Sequence, residues 1–78
     1  TMNDVKFIKT KENRIIIFSD FFQHNDFSHF SPVSAGFISF GVSMGRMTCK
    51  CHGESISLGL KSEFIDTTLA EMQILQYI

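Results

Sequence analysis

The spacing of hydrophobic residues changes along the chain and divides it into strand-like and helix-like regions. Residues 5–8 and 14–18 are short apolar segments on either side of a polar stretch, which predicts a first β-hairpin. In the second half, hydrophobic residues alternate with polar ones through residues 33–40, Arg46–His52 and residues 54–61, with glycines between these segments. This alternation predicts a three-stranded antiparallel meander with one buried and one polar face.

Two other segments carry helical spacing. Phe18 and Phe22 are four residues apart and Phe27 and Phe30 are three apart, which predicts a short helix over residues 21–30 after the second strand. Residues 66–78 predict a longer amphipathic helix, because hydrophobic residues recur at both three- and four-residue spacing. A capping box of Thr68 and Glu71 marks the start of this helix, and Asp66 is an alternative cap.

Together these patterns predict one small α+β domain over residues 1–78. An antiparallel sheet of four or five strands, built from the hairpin and the meander, carries the C-terminal helix on its apolar face. The composition agrees, since 44% of the residues are hydrophobic and 19% are charged, which excludes a disordered chain.

The sequence also predicts the compartment. We expect Met2 to be the natural start, with Thr1 added before it, and no secretory leader follows Met2. No apolar run approaches the roughly 18–20 residues that a membrane-spanning helix needs. Cys49 and Cys51 are too close in sequence for a disulfide that would stabilise a fold. We therefore predict reduced thiols and a cytoplasmic protein without membrane contact.

Two short motifs of enzyme families occur without the residues that would complete them. Residues 41–45 match the G-x-S-x-G pattern around Ser43, which needs a following helix and a histidine after the acid. A strand pattern follows instead, and no histidine follows Asp66, the candidate acid. His52 and Glu54 match the H-x-E of zinc deaminases, whose metal-binding cysteines come later in the chain. We predict no catalytic residues, no cofactor and no enzymatic activity.

Cysteine and histidine also suggest a metal centre. Cys49 and Cys51 share one face of the predicted strand at about 6.5–7 Å, too far apart for one tetrahedral zinc unless the strand bends. His52 points to the opposite face. We interpret the cysteines as small buried thiols and predict no metal, with Cys49, Cys51 and His52 as the weak candidates.

The polar face of the meander carries a basic stripe. It comprises Arg46, Lys50, His52 and Lys61. Nucleic-acid surfaces usually combine such a stripe with stacking aromatic side chains, which this stripe lacks. The net charge of −1 also gives no long-range attraction to a polyanion. We interpret the stripe as the solvated side of a sheet and do not expect nucleic-acid binding.

The chain has more hydrophobic material than one helix on one sheet face can bury. Nine of its 78 residues are phenylalanine. Contiguous apolar patches mark interfaces, where aromatic side chains are enriched. We therefore predict a homo-oligomer, most simply a two-fold dimer, or an unknown protein partner. The candidate interface residues are Phe21, Phe22, Phe27 and Phe30 in the short helix and Ala70, Ile74 and Tyr77 in the C-terminal helix.

These observations favour a non-enzymatic interaction or regulatory module that acts through protein–protein contacts and associates with itself. A weak nucleic-acid-binding module that uses Arg46, Lys50 and Lys61 is the alternative. A metal- or thiol-dependent protein centred on Cys49 and Cys51 ranks below both.

Overall fold

The structure, a computed structural model, describes residues 5–75, with residues 74 and 75 described by their backbone alone. Its main element is an antiparallel sheet whose strands are β1 (Val5–Thr10), β2 (Ile15–Phe18), β3 (Pro32–Ser43) and β4 (Arg46–His52). Across the sheet the order is β2-β1-β3-β4. The other elements are a 3-10 helix at His24–Phe30, a two-stranded sheet of β5 (Glu54–Ser55) and β6 (Leu60–Lys61), and helix α1 (Asp66–Leu75). This architecture confirms the predicted small α+β domain.

The predicted first hairpin is present. Strand β1 pairs antiparallel with β2 from Lys6↔Phe18 to Lys9↔Ile15. In the turn, Asn13 has a φ of 64°, and its N–H donates to the carbonyl of Thr10 at 3.0 Å. Asparagine adopts this left-handed conformation more readily than most residues, so it allows the chain to reverse here.

The second hairpin joins β3 to β4. The predicted turn over residues 41–45 is shorter in the structure, because β3 continues to Ser43 and β4 starts at Arg46. Met44 and Gly45 between them have φ values of 53° and 77°. Positive φ at both positions is typical of the two-residue turns that suit the twist of a hairpin.

The prediction that residues 54–61 form one strand beside β4 is wrong. Strands β5 and β6 pair with each other instead, across a turn at residues 56–59. Gly53, with a φ of 76°, turns the chain away from the sheet after β4. Leu58 and Leu60 then pack against the sheet face that α1 does not cover. Burial of these two leucines on that face accounts for the departure from a flat meander.

The sheet is therefore covered on both faces, and each face has its own hydrophobic cluster. Helix α1 covers the first cluster, which comprises Phe7, Ile15, Ile38, Cys49, Cys51 and Ala70. The 3-10 helix and the β5–β6 hairpin cover the second, in which Phe27, Leu58 and Leu60 pack against Ile8, Phe18 and Ala35. The prediction from the sequence placed only the C-terminal helix as a cover on the sheet, and so it did not include the 3-10 helix and the β5–β6 hairpin on the second face.

Helix α1 crosses the sheet from one edge strand to the other and hydrogen-bonds to both. Near its start, Thr67 Oγ1 accepts a hydrogen bond from the Cys51 N–H in β4 at 2.9 Å. Near its end, the side-chain amide of Gln73 accepts from the Ile15 N–H at 2.7 Å and donates to the Ile15 carbonyl at 2.9 Å. The Gln73 amide thus pairs with the N–H and C=O of Ile15 in the way that a residue of a neighbouring strand would. The helix thus occupies backbone groups that edge strands otherwise leave open.

The predicted capping box does not mark the helix start. The first helical hydrogen bond runs from the Leu69 N–H to the Ile65 carbonyl at 3.0 Å, so Thr68 and Glu71 lie within the helix. Asp66 stands in its first turn, where the helix dipole favours a negative charge. The last three residues of the predicted helix, 76–78, lie outside the described part of the chain.

A buried ion pair fixes the start of α1 to the sheet. The fully buried Asp66 carboxylate accepts hydrogen bonds from the Ser34 hydroxyl and the Glu63 N–H, both at 2.8 Å. Lys9 Nζ lies 2.9 Å from Asp66 Oδ1 and donates to Glu63 Oε1 at 2.6 Å. Within residues 5–75, Oδ1 receives no well-aligned hydrogen bond, so its contact with Lys9 is mainly electrostatic. Burial lowers the pKa of Lys9, but the two carboxylates outweigh burial and raise it above 10.5.

Candidate interaction surfaces

The segment after β2 presents phenylalanine rings at the protein surface. Phe21 is 85% exposed, and Phe22 and Phe30 are 47% and 42% exposed. Phe27 lies partly buried beside them and stacks on Phe18 at 4.0 Å and on Phe30 at 6.2 Å between ring centroids. We call Phe21, Phe22, Phe27 and Phe30 the aromatic surface. The structure thus brings together the four phenylalanines that were predicted as interface residues.

Polar contacts hold the backbone of the aromatic surface. Lys6 Nζ donates a hydrogen bond to the Phe22 carbonyl at 2.7 Å. The Gln23 N–H donates to the Asp26 carboxylate at 3.0 Å, as part of a capping box at the start of the 3-10 helix. At its end, Ser31 has a φ of 54° and its N–H donates to the Ser28 carbonyl at 3.0 Å. The exposed rings therefore project from a hydrogen-bonded segment.

His24 links the segment that carries the aromatic surface to the sheet. Its Nε2 lies 2.8 Å from the Gly36 carbonyl, and its ring lies edge-on to Phe18 and Phe37. Because a carbonyl only accepts hydrogen bonds, Nε2 carries a proton. Burial lowers the pKa of His24 below 6.5, and the charge of Lys6 adds to this effect, although the Gly36 hydrogen bond opposes it.

We expect the domain to lose stability as the pH falls below about 6.5. The unfolded chain binds a proton at His24 near that pH, whereas the folded protein binds it only at lower pH. Protons therefore favour unfolding, and the free energy of unfolding decreases. Thermal unfolding between about pH 7.5 and about pH 5.5 measures this dependence. His24→Gln should reduce it and His29→Gln should leave it in place; equal slopes in both variants would contradict the prediction.

Of the other predicted interface residues, Ala70 does not join the aromatic surface. Ala70 is only 1% exposed and belongs to the hydrophobic cluster under α1, so no partner can reach it. The side chain of Ile74 and the whole of Tyr77 lie outside the described residues. Further hydrophobic side chains are exposed elsewhere, at Phe64 before α1 and at Met44 in the hairpin turn. Sequence reasoning missed both, although a hydrophobic residue in a tight turn is a signal that could have identified Met44.

A groove runs along the outer edge of β4. It has two parts, of about 720 and 460 Å³, which follow one another along β4 and along α1. Residues 46–53 form one wall. The opposite wall comprises Ser62, Glu63, Phe64, Thr67, Thr68 and Glu71. The groove exists because β5 leaves the sheet and so does not cover β4.

The edge of β4 carries backbone groups that β3 does not use. In an edge strand, every second residue directs its N–H and C=O away from the neighbouring strand. The Cys51 N–H donates outward to Thr67, so Cys49 and Met47 also direct their backbone groups outward. The hydrogen bond from the Cys51 N–H to Thr67 occupies one of these outward groups.

The structure divides the predicted basic stripe. Arg46 and Lys50 are exposed on β4, on the face away from α1. His52 is half-buried and stacks on Phe37 with ring centroids 6.3 Å apart. Lys61 lies on β6, which pairs with β5 and not with β4. Arg46 and Lys50 thus share an edge strand, and Lys61 belongs to a different sheet.

Cys49 and Cys51 are free, buried thiols on the face that α1 covers. His52 lies on the other face, and the described residues contain no group of three or more His, Cys, Asp or Glu side chains placed to bind a metal ion. Burial raises the pKa of both thiols, with a further contribution from Glu71, and raises that of Cys51 to about 12. Both cysteines are therefore present as thiols at neutral pH.

We expect both cysteines to react slowly with thiol reagents in the folded protein. At pH 8, a thiol with a pKa of about 12 is ionised in about one molecule in 10,000, compared with about a quarter for an ordinary cysteine. Reaction with Ellman's reagent, followed with and without guanidinium chloride, measures the difference. Rapid labelling of either thiol without denaturant would contradict the burial described above.

The segment around Ser43 has the geometry of a hairpin. Its turn leads from β3 into β4 and not into a helix. Asp66 is engaged by Lys9 and Ser34 in the buried ion pair. In a hydrolase of this type, the serine lies between a strand and a helix and the acid contacts a histidine. Ser43 and Asp66 have neither arrangement.

The helices of the described region are short. Helix α1 has 10 residues and the 3-10 helix has 7. Among residues 5–75, no helix is long and hydrophobic enough to cross a membrane.

Comparison with protein-family models, with curated proteins and with solved structures finds no match to this chain.

Proposed function

We propose that the protein is a non-enzymatic interaction module that associates with itself through the aromatic surface. The observation that carries this proposal is the exposure of Phe21, Phe22 and Phe30 on one hydrogen-bonded segment. Burial of a phenylalanine side chain stabilises a complex by about 1.5–3 kcal/mol. Phe21 can gain most of this on association, and the exposed halves of Phe22 and Phe30 add to it.

A second copy is the partner that this surface fits best. Aromatic rings stack on one another in offset or edge-on arrangements, so a surface of phenylalanines is complementary to itself across a two-fold axis. Lys6 and Asp26 lie next to the rings and carry opposite charges. Two identical surfaces can therefore meet without a dominant charge of one sign.

Light scattering coupled to size-exclusion chromatography tests the proposal. We expect the wild-type chain to elute as a dimer at micromolar concentration. The double substitution Phe21→Ser and Phe30→Ser should convert it to a monomer that remains folded, because Phe21 is 85% exposed and Phe30 is 42% exposed.

Phe64→Ser is the matched control. Phe64 is fully exposed, so this substitution removes the same side chain from a different surface. It should leave the dimer intact. A wild-type monomer over the same concentrations would contradict self-association, and a dimer that persists in the double variant would contradict the assigned surface.

A further inference from the structure

We propose that the groove between β4 and α1 binds an extended acidic peptide, which adds to the sheet beside β4 as a fifth strand. Strand addition of this kind is a common mode of peptide recognition, in which backbone hydrogen bonds provide affinity and alternate side chains provide specificity. The aromatic surface packs on β1 and β3 and lies apart from this edge. The inference therefore does not depend on self-association.

The backbone of β4 supplies the first part of the site. Met47 and Cys49 direct their N–H and C=O groups outward, so a neighbouring strand can pair with both residues. The hydrogen bond between the Cys51 N–H and Thr67 closes one end of the groove. The open edge thus extends from Arg46 to Lys50 and accommodates an extended segment of about five residues at about 3.3 Å per residue.

Charge on the solvent-facing side of β4 selects the partner. Arg46 and Lys50 are both exposed there, and neither forms an ion pair within residues 5–75. Side chains directly opposite on adjacent strands have Cβ atoms about 5 Å apart, and opposite charges at such positions stabilise the pairing. Carboxylates at alternate positions of the added strand therefore meet these two cations.

The same geometry disfavours a second copy of β4 as the occupant. An antiparallel, two-fold pairing that uses both open residues sets Met47 opposite Cys49 of the other copy. Because register fixes every pair, Arg46 then stands opposite the other copy's Lys50. Like charges directly opposite each other destabilise strand pairing. A peptide with acidic residues avoids this repulsion.

The side of the groove that faces α1 sets the remaining positions. Its wall carries the carboxylates of Glu63 and Glu71, together with the exposed ring of Phe64. Glu63 is paired with Lys9, whereas Glu71 makes no ion pair within the described residues. Acidic side chains are disfavoured on this side, and hydrophobic ones can contact Phe64 and Met47. The favoured ligand therefore alternates acidic and hydrophobic residues.

Fluorescence anisotropy with two labelled peptides of equal composition tests this assignment. The probe has the core Glu-Val-Glu-Val-Glu, and the control has the same residues grouped as Glu-Glu-Glu-Val-Val. We expect the alternating peptide to bind at least about fivefold more tightly, because only alternation places all three carboxylates on the face of Arg46 and Lys50. Equal affinity of the two peptides, or no saturable binding of the probe, would overturn the proposal.

Charge reversal locates the site. Lys50→Glu replaces an attraction by a repulsion and should weaken binding of the alternating peptide by about tenfold. Lys61→Glu makes the same change on β6 and should leave the affinity within about twofold. An equal loss in both variants would indicate general electrostatic attraction and contradict the assigned groove.

Amide hydrogen exchange identifies strand addition itself. The Met47 and Cys49 amides should exchange more slowly once the alternating peptide is bound, since each then donates to the added strand. Binding without slower exchange at these amides would overturn strand addition. Slower exchange on raising the protein concentration alone would instead identify a second copy as the occupant.

Discussion

Replacing Lys9 by methionine should destabilise the domain by about 3–5 kcal/mol. Lys9 is the cation that faces the fully buried Asp66, with 2.9 Å between Nζ and Oδ1. Without it, the carboxylate remains in the interior without a compensating charge. Small domains have a total stability of about 5–15 kcal/mol, so the loss is a large fraction of the whole. Urea unfolding followed by circular dichroism measures it.

Two further variants separate charge from packing. Lys11→Met makes the same change at an exposed position in the first turn and should alter the stability by less than about 0.5 kcal/mol. The double variant Lys9→Met with Asp66→Asn removes both charges, keeps a side-chain oxygen that accepts the hydrogen bonds of Ser34 and Glu63, and should recover part of the loss. If the double variant is no more stable than Lys9→Met, the cost does not come from an uncompensated charge.

Gly36→Ala should destabilise the domain by about 3 kcal/mol. A Cβ atom at this position would overlap with the His52 carbonyl oxygen and lie 3.1 Å from that of Gly53. Both are backbone atoms, so β3 and the end of β4 have to move apart. The Gly36 carbonyl also accepts the hydrogen bond of His24, and its movement disturbs the support of the aromatic surface.

Gly41 in the same strand provides the matched control. A Cβ atom at Gly41 meets Thr48 Oγ1 at 3.5 Å, which is an ordinary contact. Gly41→Ala should therefore change the stability by less than about 1 kcal/mol. Urea unfolding of the two variants, measured side by side, compares their stabilities. Equal midpoint concentrations would show that a Cβ atom at position 36 does not destabilise the domain.

Local patterns were sufficient for part of the fold. The alternation in Arg46–His52 identified β4 and the burial of Cys49 and Cys51, because side chains on a strand point to opposite faces in turn. The same alternation at Ile56, Leu58 and Leu60 predicted a strand and was misleading. Among those residues stands Gly59, whose φ of 67° belongs to the turn that separates β5 from β6.

The groove could not be predicted from local patterns. A strand is an edge strand only if no other strand pairs with it, and that depends on where distant segments pack. The meander prediction set residues 54–61 beside β4 and so covered the edge that the structure leaves open. The buried ion pair could not be predicted from the sequence either. Lys9 lies next to a polar turn, and its partner Asp66 is near the other end of the chain.

The position of α1 in the chain also determines when the fold can be completed during synthesis. The ribosome releases β1 and β2 first, and residues 66–73 follow only after the whole sheet. Until then, Lys9 lacks Asp66, and the outward backbone groups of Ile15 and Cys51 lack Gln73 and Thr67. Nascent chains with open sheet edges are prone to pair with one another. The fold can therefore close only when α1 docks, and until then the backbone groups of Ile15 and Cys51 stay open to pairing with other chains.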